Sequence, residues 1–300
     1  MQWIREHKPN PEIIRAYKTA MVVSLFGNLL LAAGKGITAY ITGSAALYAD
    51  TANSIADVIY SIALVLGLWM SIQPPDLSHP QGHARFEPLV GLVVALMMAI
   101  AGYEALRTSI SRFLAGGEAI NFGLPMMVLL AGAIIKVGMY FWIMKLARKT
   151  DSPSLKVTAK DNLSDVLTSL AAFIGILGSS LIHPLLDPAA GFLVSLWIFN
   201  ASFQAGKENL KFLTGAGADD DLRRKIIQTA NKVNGVQGVH HMMSDYVGPK
   251  LIVDMHINMP AEATLEEVHA LEDRVVAALE ALKEVDRAYV HVEPFENPPG

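Results

Sequence analysis

The chain has 300 residues, of which 52% are hydrophobic and only 17% charged, and its mean hydropathy is +0.35. Such a composition excludes an ordinary soluble domain of this size, and a net charge of −4 offers nucleic acid no basic surface. With no cysteine, disulfides and thiolate metal ligands are both excluded.

Arg5, Glu6, Lys8, Arg15 and Lys18 precede the first apolar run, so no cleavable signal peptide is expected. Six candidate membrane spans follow, at about residues 19–41, 44–72, 88–113, 122–146, 153–182 and 188–205. Each reaches the roughly 20 residues that a bilayer crossing requires. Turn formers separate them at Thr42-Gly43, Gln73-Pro74-Pro75, Gly116-Gly117 and His183-Pro184. Together they predict a six-helix transmembrane bundle over residues 1–214, with the lipid bilayer as solvent. Lys145, Arg148, Lys149 and Lys156 cluster around the link between spans four and five, and Lys207 and Lys211 follow span six. The breaks after spans one and five carry no Lys or Arg, which puts both termini in the cytoplasm of a multi-pass protein. Arg107 and Arg112 fit this orientation less well.

Composition changes after Gly215-Ala216-Gly217, where a soluble domain is predicted over 215–300. Asp219-Asp220-Asp221 suits a helix N-terminus, and an amphipathic stretch runs on to about Val233. Val236–Tyr246 and Lys250–Met259 read as strands, the second with a clean period of two. A helix over Thr264–Lys283 opens on a capping box, Thr264 with Glu267, and Ala288–Glu293 is a last strand. The order α-β-β-α-β, with an antiparallel sheet and helices on one face, is an α+β domain of ferredoxin-like, metallochaperone-like type.

The chemistry lies in the polar residues of the spans. Asn53 and Asp57 are four apart and share a helix face, as do Asp161 and Asp165. An ionised side chain at the centre of a spanning helix costs about 2.5–3.5 kcal/mol, so packing alone does not explain them. Two such pairs on adjacent helices can set four ligand groups around one cation. The set is all oxygen, three carboxylates and an amide, which suits Mn2+, Mg2+ or Ca2+ better than an imidazole set would. Asp50 lies near the same face and is read as supporting the ligands rather than joining them. Asn28 in span one is read as a hydrogen-bonder between helices.

The stretch from Gly43 to Asp57, the loop from Asp76 to Glu87, Asp161-Asn162-Leu163-Ser164-Asp165 and His291-Val292-Glu293-Pro294 resemble the cation diffusion facilitator family in order and spacing. The resemblance covers nearly the whole chain. It implies a homodimeric divalent-metal/proton antiporter in a plasma membrane, not an enzyme, with no organic cofactor. Residue by residue, Asn53, Asp57, Asp161 and Asp165 fall on the family's transport site. Zinc-selective members usually carry histidine there, and the Asn/Asp pair facing an Asp/Asp pair resembles the manganese-exporting branch. Mn2+ is therefore the expected substrate, with zinc, iron or cobalt as the alternative cargo. A membrane-anchored metal sensor that does not transport is the rival class, but it would need no tetrad at membrane depth. The resemblance also implies a metal site at Asp76, His79 and His83. It implies another in the C-terminal domain at His240, His256, His269, His291 and Glu293. Zn2+ or another divalent metal is expected at these two. An interlock between Arg85 and an acid after span six, seen in relatives, has only Glu208 as a nearby partner here.

Overall fold

A computed structural model describes residues 10–42, 45–116, 124–181, 183 and 185–295 of the chain. Its long apolar runs become helices α1 (Pro11–Thr42), α2 (Ala45–Ser71), α3 (Phe86–Leu114), α4 (Leu124–Thr150), α5 (Pro153–Leu181) and α6 (Leu186–Leu213). The shortest has 27 residues, and at 1.5 Å per residue it is about 40 Å long, more than the ~30 Å hydrocarbon core. Hydropathy marked α1 from about residue 19 and α6 only to about 205, yet both helices run further into charged sequence. Glu, Lys and Arg are good helix formers, so apolarity stops where lipid would while the helix goes on.

Among the described residues, five helices contain stretches long and apolar enough to cross a membrane: Pro11–Ile41, Ser54–Ser71, Phe86–Leu114, Leu130–Thr150 and Pro188–Leu213. The sixth long helix, α5, carries Lys156, Lys160, Asp161 and Asp165 in its first half. That half is the most enclosed of the bundle, with Leu155, Val157 and Ala159 buried against α3 and α4. Its four charged residues are partly covered by these neighbours.

The bundle has the inverse pattern of a soluble protein. Phe26, Tyr40, Leu193 and Phe203 point outward, 63%, 82%, 67% and 73% exposed, as lipid-facing side chains do. Buried inside are Ser24, Asn28, Ser54, Ser61, Ser195 and Ser202. Small polar residues let helices approach closely and hydrogen-bond across the gap. Asn28 on α1 donates to Ser61 Oγ on α2 at 2.8 Å, and Ser202 on α6 donates to the Ala95 carbonyl on α3 at 2.6 Å. Gly67 is needed where α2 meets α3, since a Cβ there would overlap the Val90 side chain.

The α4–α5 link is only two residues. Asp151 takes a left-handed φ of 53°, a conformation Asp tolerates, and Pro153 opens α5 with its φ already set. Ser152 accepts from Leu155 N at 3.1 Å and donates to the buried Glu87 at 2.5 Å. Tyr17 of α1 donates to the other Glu87 oxygen, also at 2.5 Å. One carboxylate thus ties α1, α3 and the start of α5 together.

The chain divides into two compact units at Leu210/Lys211. The second contains α7 (Asp220–Asn231), β1 (Gly238–Val247), β2 (Lys250–Met259), α8 (Leu265–Glu280) and β3 (Val285–Pro294). Asp219 caps α7 by accepting from Leu222 N, and Thr264 and Glu267 form the expected capping box on α8. Leu251, Val253, Met255 and Ile257 of β2 are fully buried against Leu271, Val275 and Leu279 of α8. Ile252, Asp254, His256 and Asn258 therefore face the other side of the sheet. The sheet, in order β1-β2-β3, is mixed rather than antiparallel: β1 pairs antiparallel with β2, and β3 pairs parallel to it. The reason is the intervening helix, because a strand reached through a helical crossover returns in the same direction.

Candidate metal centre

Asp57 comes from the middle of α2 and Asp161 and Asp165 from the enclosed half of α5. The three offer carboxylate oxygens within 4.8 Å of one another. Asp57 is 7% exposed. Asp161 and Asp165, four apart, project one above the other from one face of α5. The α2 backbone is described at Asp50 and Asn53, but the side chains of both lie outside the described residues.

A fourth charged group stands in this cluster that sequence reasoning passed over. Lys136, on α4, is 4% exposed. Its ammonium donates to Asp57 Oδ2 at 2.8 Å and lies 2.6 Å from Asp165 Oδ2. The approach to Asp165 is an ionic contact more than an aligned hydrogen bond, since that oxygen otherwise lacks a hydrogen-bond partner. The signal was visible: Lys136 is a lone cation in the middle of span four, where a charge needs a partner.

A small cavity of about 10 Å³, room for about one water, adjoins the carboxylates between Asn28, Tyr60, Ser61, Thr158 and Asn162. The side-chain oxygens of Asn28 and Asn162 are buried there without hydrogen-bond partners. They are acceptors of the kind that would replace water around a hydrated cation.

The α2–α3 loop brings Asp76, His79 and His83 together. Asp76 Oδ1 is 3.5 Å from His79 Nδ1, and Asp76 Oδ2 is 3.4 Å from His83 Nε2. The His79 backbone N–H donates to Asp76 at 2.6 Å. That bond is the main reason the Asp76 carboxyl sits below its usual range, with both imidazoles helping and slight burial opposing. A carboxylate and two imidazoles are a normal zinc-type donor set. Glu208 lies 4.0 Å from Lys156.

In the C-terminal unit, His240, His256 and Glu293 come together on the open face of the sheet. Glu293 lies 3.1 Å from His240 Nε2 and 3.0 Å from His256 Nδ1. His291 Nε2 is 3.6 Å from the same carboxylate, and the His241 ring is 4.9 Å from His256. Desolvation would raise the Glu293 carboxyl, but the His256 hydrogen bond and the neighbouring imidazoles outweigh it and hold it below its usual range. The strand register shifts between Val239 and His241. This bulge turns His240 toward the open face, where strict alternation would have sent it to the α8 side. Sequence reasoning missed the bulge and left His241 and Asn258 out of the cluster; Asn258 Oδ1 accepts from His240 Nδ1 at 2.9 Å. His269 lies apart from these residues. It stands on α8, across the sheet from the others, 72% exposed and beside Glu272 and Asp273 of its own helix. Within one chain it does not join the cluster.

Residues 21–214 match the family model described as cation efflux transmembrane domain, and residues 218–295 match that of the cation efflux protein cytoplasmic domain. An uncharacterized transporter of Methanocaldococcus jannaschii is 32% identical over 93% of this chain and 99% of its own length. The manganese efflux system protein MneS of Bacillus subtilis is 28% identical over 93% of this chain and 96% of its own. The magnetosome protein MamM of Paramagnetospirillum magneticum is 30% identical over 91% and 87%. A solved MamM-CTD variant aligns with 26% of this chain and 100% of its own at 29% identity, with a TM-score of 0.26.

Proposed function

The chain belongs to the cation diffusion facilitator family of metal cation efflux transporters, multi-pass membrane proteins rather than enzymes, and from that premise we propose that it exports Mn2+ from the cytoplasm in exchange for protons. The observation that carries this reading is the gathering of Asp57, Asp161 and Asp165 inside the bundle. The three carboxylates are hard oxygen donors, and the sequence adds the Asn53 amide to an all-oxygen set. Manganese accepts such a set, whereas zinc gains most from nitrogen and sulfur. The likeness to MneS, named as a manganese efflux protein, supports the same metal. Carboxylates that release a divalent cation can take protons in its place, so metal and proton share one site.

In this reading the protein works as a homodimer with both termini in the cytoplasm. The loop and C-terminal clusters bind a zinc-type divalent metal on that side, and a second chain supplies His269. Parallel uptake of Mn2+ and Zn2+ into inverted membrane vesicles tests the reading. Manganese uptake driven by a proton gradient and collapsed by a protonophore is expected. Faster zinc than manganese uptake would overturn the metal, and indifference to the gradient would overturn the antiport.

A further inference from the structure

The transport carboxylates already face a cation that belongs to the protein. Lys136 reaches them from α4, a helix that contributes none of the candidate ligands, and touches one carboxylate on each of the two helices that do. Lys35 on α1 and Tyr60 on α2 also face the cluster, as does Asp161. Its ammonium and a cargo cation would draw on the same two groups. Like charges that close repel strongly where water is scarce, so both cannot hold those oxygens with full effect. A lysine is suited to yielding, because its ammonium sits on a flexible four-carbon stem with no fixed fork geometry.

We propose that Lys136 is a tethered counter-ion of the transport site: its ammonium stands against Asp57 and Asp165 while the carrier returns without metal, and incoming cargo displaces it. The proposal rests on the reading of these carboxylates as the transport site. On the return leg, any carboxylate charge that the exchanged protons leave uncancelled would cross the bilayer interior uncompensated. The tethered ammonium neutralises one charge in every cycle without being transported. It also weakens cargo binding, which favours release on the far side.

Net transport and exchange separate this role from simple packing. Exchange of labelled for unlabelled Mn2+ needs only the loaded carrier to cross, whereas net uptake needs the metal-free carrier to return. In proteoliposomes, Lys136→Met should bind Mn2+ about tenfold more tightly and lose net uptake about tenfold or more, with exchange kept within about threefold. Lys136→Arg, which keeps the charge, should restore net uptake. Equal loss of both fluxes, undiminished net uptake, or weaker Mn2+ binding in folded Lys136→Met would overturn the proposal. A wild-type protein that fails to exchange Mn2+ at all would instead remove the transport-site reading. A wild-type measurement frees the test from the folding of any variant. The 15N resonance of the Lys136 ammonium, assigned by its loss in Lys136→Arg, should shift on saturation with Cd2+ as a diamagnetic probe. A resonance that stays put at saturation shows that cargo does not displace the lysine.

Discussion

At the scale of single residues, the transport site depends on charge and oxygen donors that few substitutions preserve. Asp57→Ala and Asp165→Ala each remove a donor and leave Lys136 with one anionic partner in place of two. Mn2+ flux in inverted vesicles should fall to background in both, with the variants still folded and membrane-inserted. Near-normal flux in either would exclude that residue from the site. A gain-of-preference change asks more of the reading. Asn53→His with Asp161→His replaces two oxygen donors by imidazole and lowers the negative charge, which favours four-coordinate zinc. The Zn2+/Mn2+ transport ratio should rise by about tenfold, the scale of one to two kcal/mol in differential binding. An unchanged ratio with both ions transported would show that ligand identity does not set selectivity.

At the scale of elements, α8 offers a local test of what its sequence encodes. Thr264 accepts from the Glu267 N–H, and Glu267 accepts from the Thr264 N–H at 2.8 Å and from its hydroxyl. Losing such a cap costs about 1 kcal/mol, so Thr264→Ala should speed hydrogen exchange of the first α8 amides by roughly fivefold. The Thr264 N–H is the chief cause of the lowered Glu267 carboxyl, with the hydroxyl adding to it and desolvation opposing. A depressed folded value means the contribution is complete above the unfolded value, about pH 4.3. It is then lost as pH falls through the lower folded value. Protection of these amides should decline over that acidic window, and the decline should vanish in Glu267→Gln.

The capping box was legible because its signals lie within four residues. So were β2 and the spacing of Asp161 and Asp165, whose periods can be counted along the chain. What escaped depends on distant partners. Lys136 gains its meaning from Asp57, 79 residues away in sequence. The parallel direction of β3 follows from the α8 crossover and leaves no mark on the strand itself. The bulge before His241 depends on pairing with β2. His269 was grouped with the other histidines by family likeness, and within one chain it stands on the other side of the sheet. The ends of α1 and α6 escaped for another reason: hydropathy reports contact with lipid and says nothing of where hydrogen bonding stops.

At the scale of the whole molecule, the number of membrane crossings turns on α5. Among the described residues five helices qualify by length and apolarity, and α5 carries four charged residues, each partly covered, in its first half. The basic residues argue for six crossings with the α2–α3 loop and the C-terminal unit on the cytoplasmic side. Arg107 speaks against that orientation, but it lies 3.4 Å from Glu104 on the same helix, which tempers its weight. Because the chain has no cysteine, single introduced thiols report sidedness without background. Ser78 in the α2–α3 loop, Ala115 after α3 and Glu262 before α8 are exposed sites for them. Between Ser78 and Glu262 the chain runs through α3, α4, α5 and α6. If all four cross, Ser78→Cys and Glu262→Cys lie on one side; if α5 does not, they lie on opposite sides. An impermeant maleimide applied to intact cells should label Ala115→Cys alone, and in inside-out membranes it should label the other two and spare Ala115→Cys. Labelling of Ser78→Cys and Glu262→Cys from opposite faces would remove α5 from the count of spans. Asp161 and Asp165 would then no longer lie on a membrane-crossing helix.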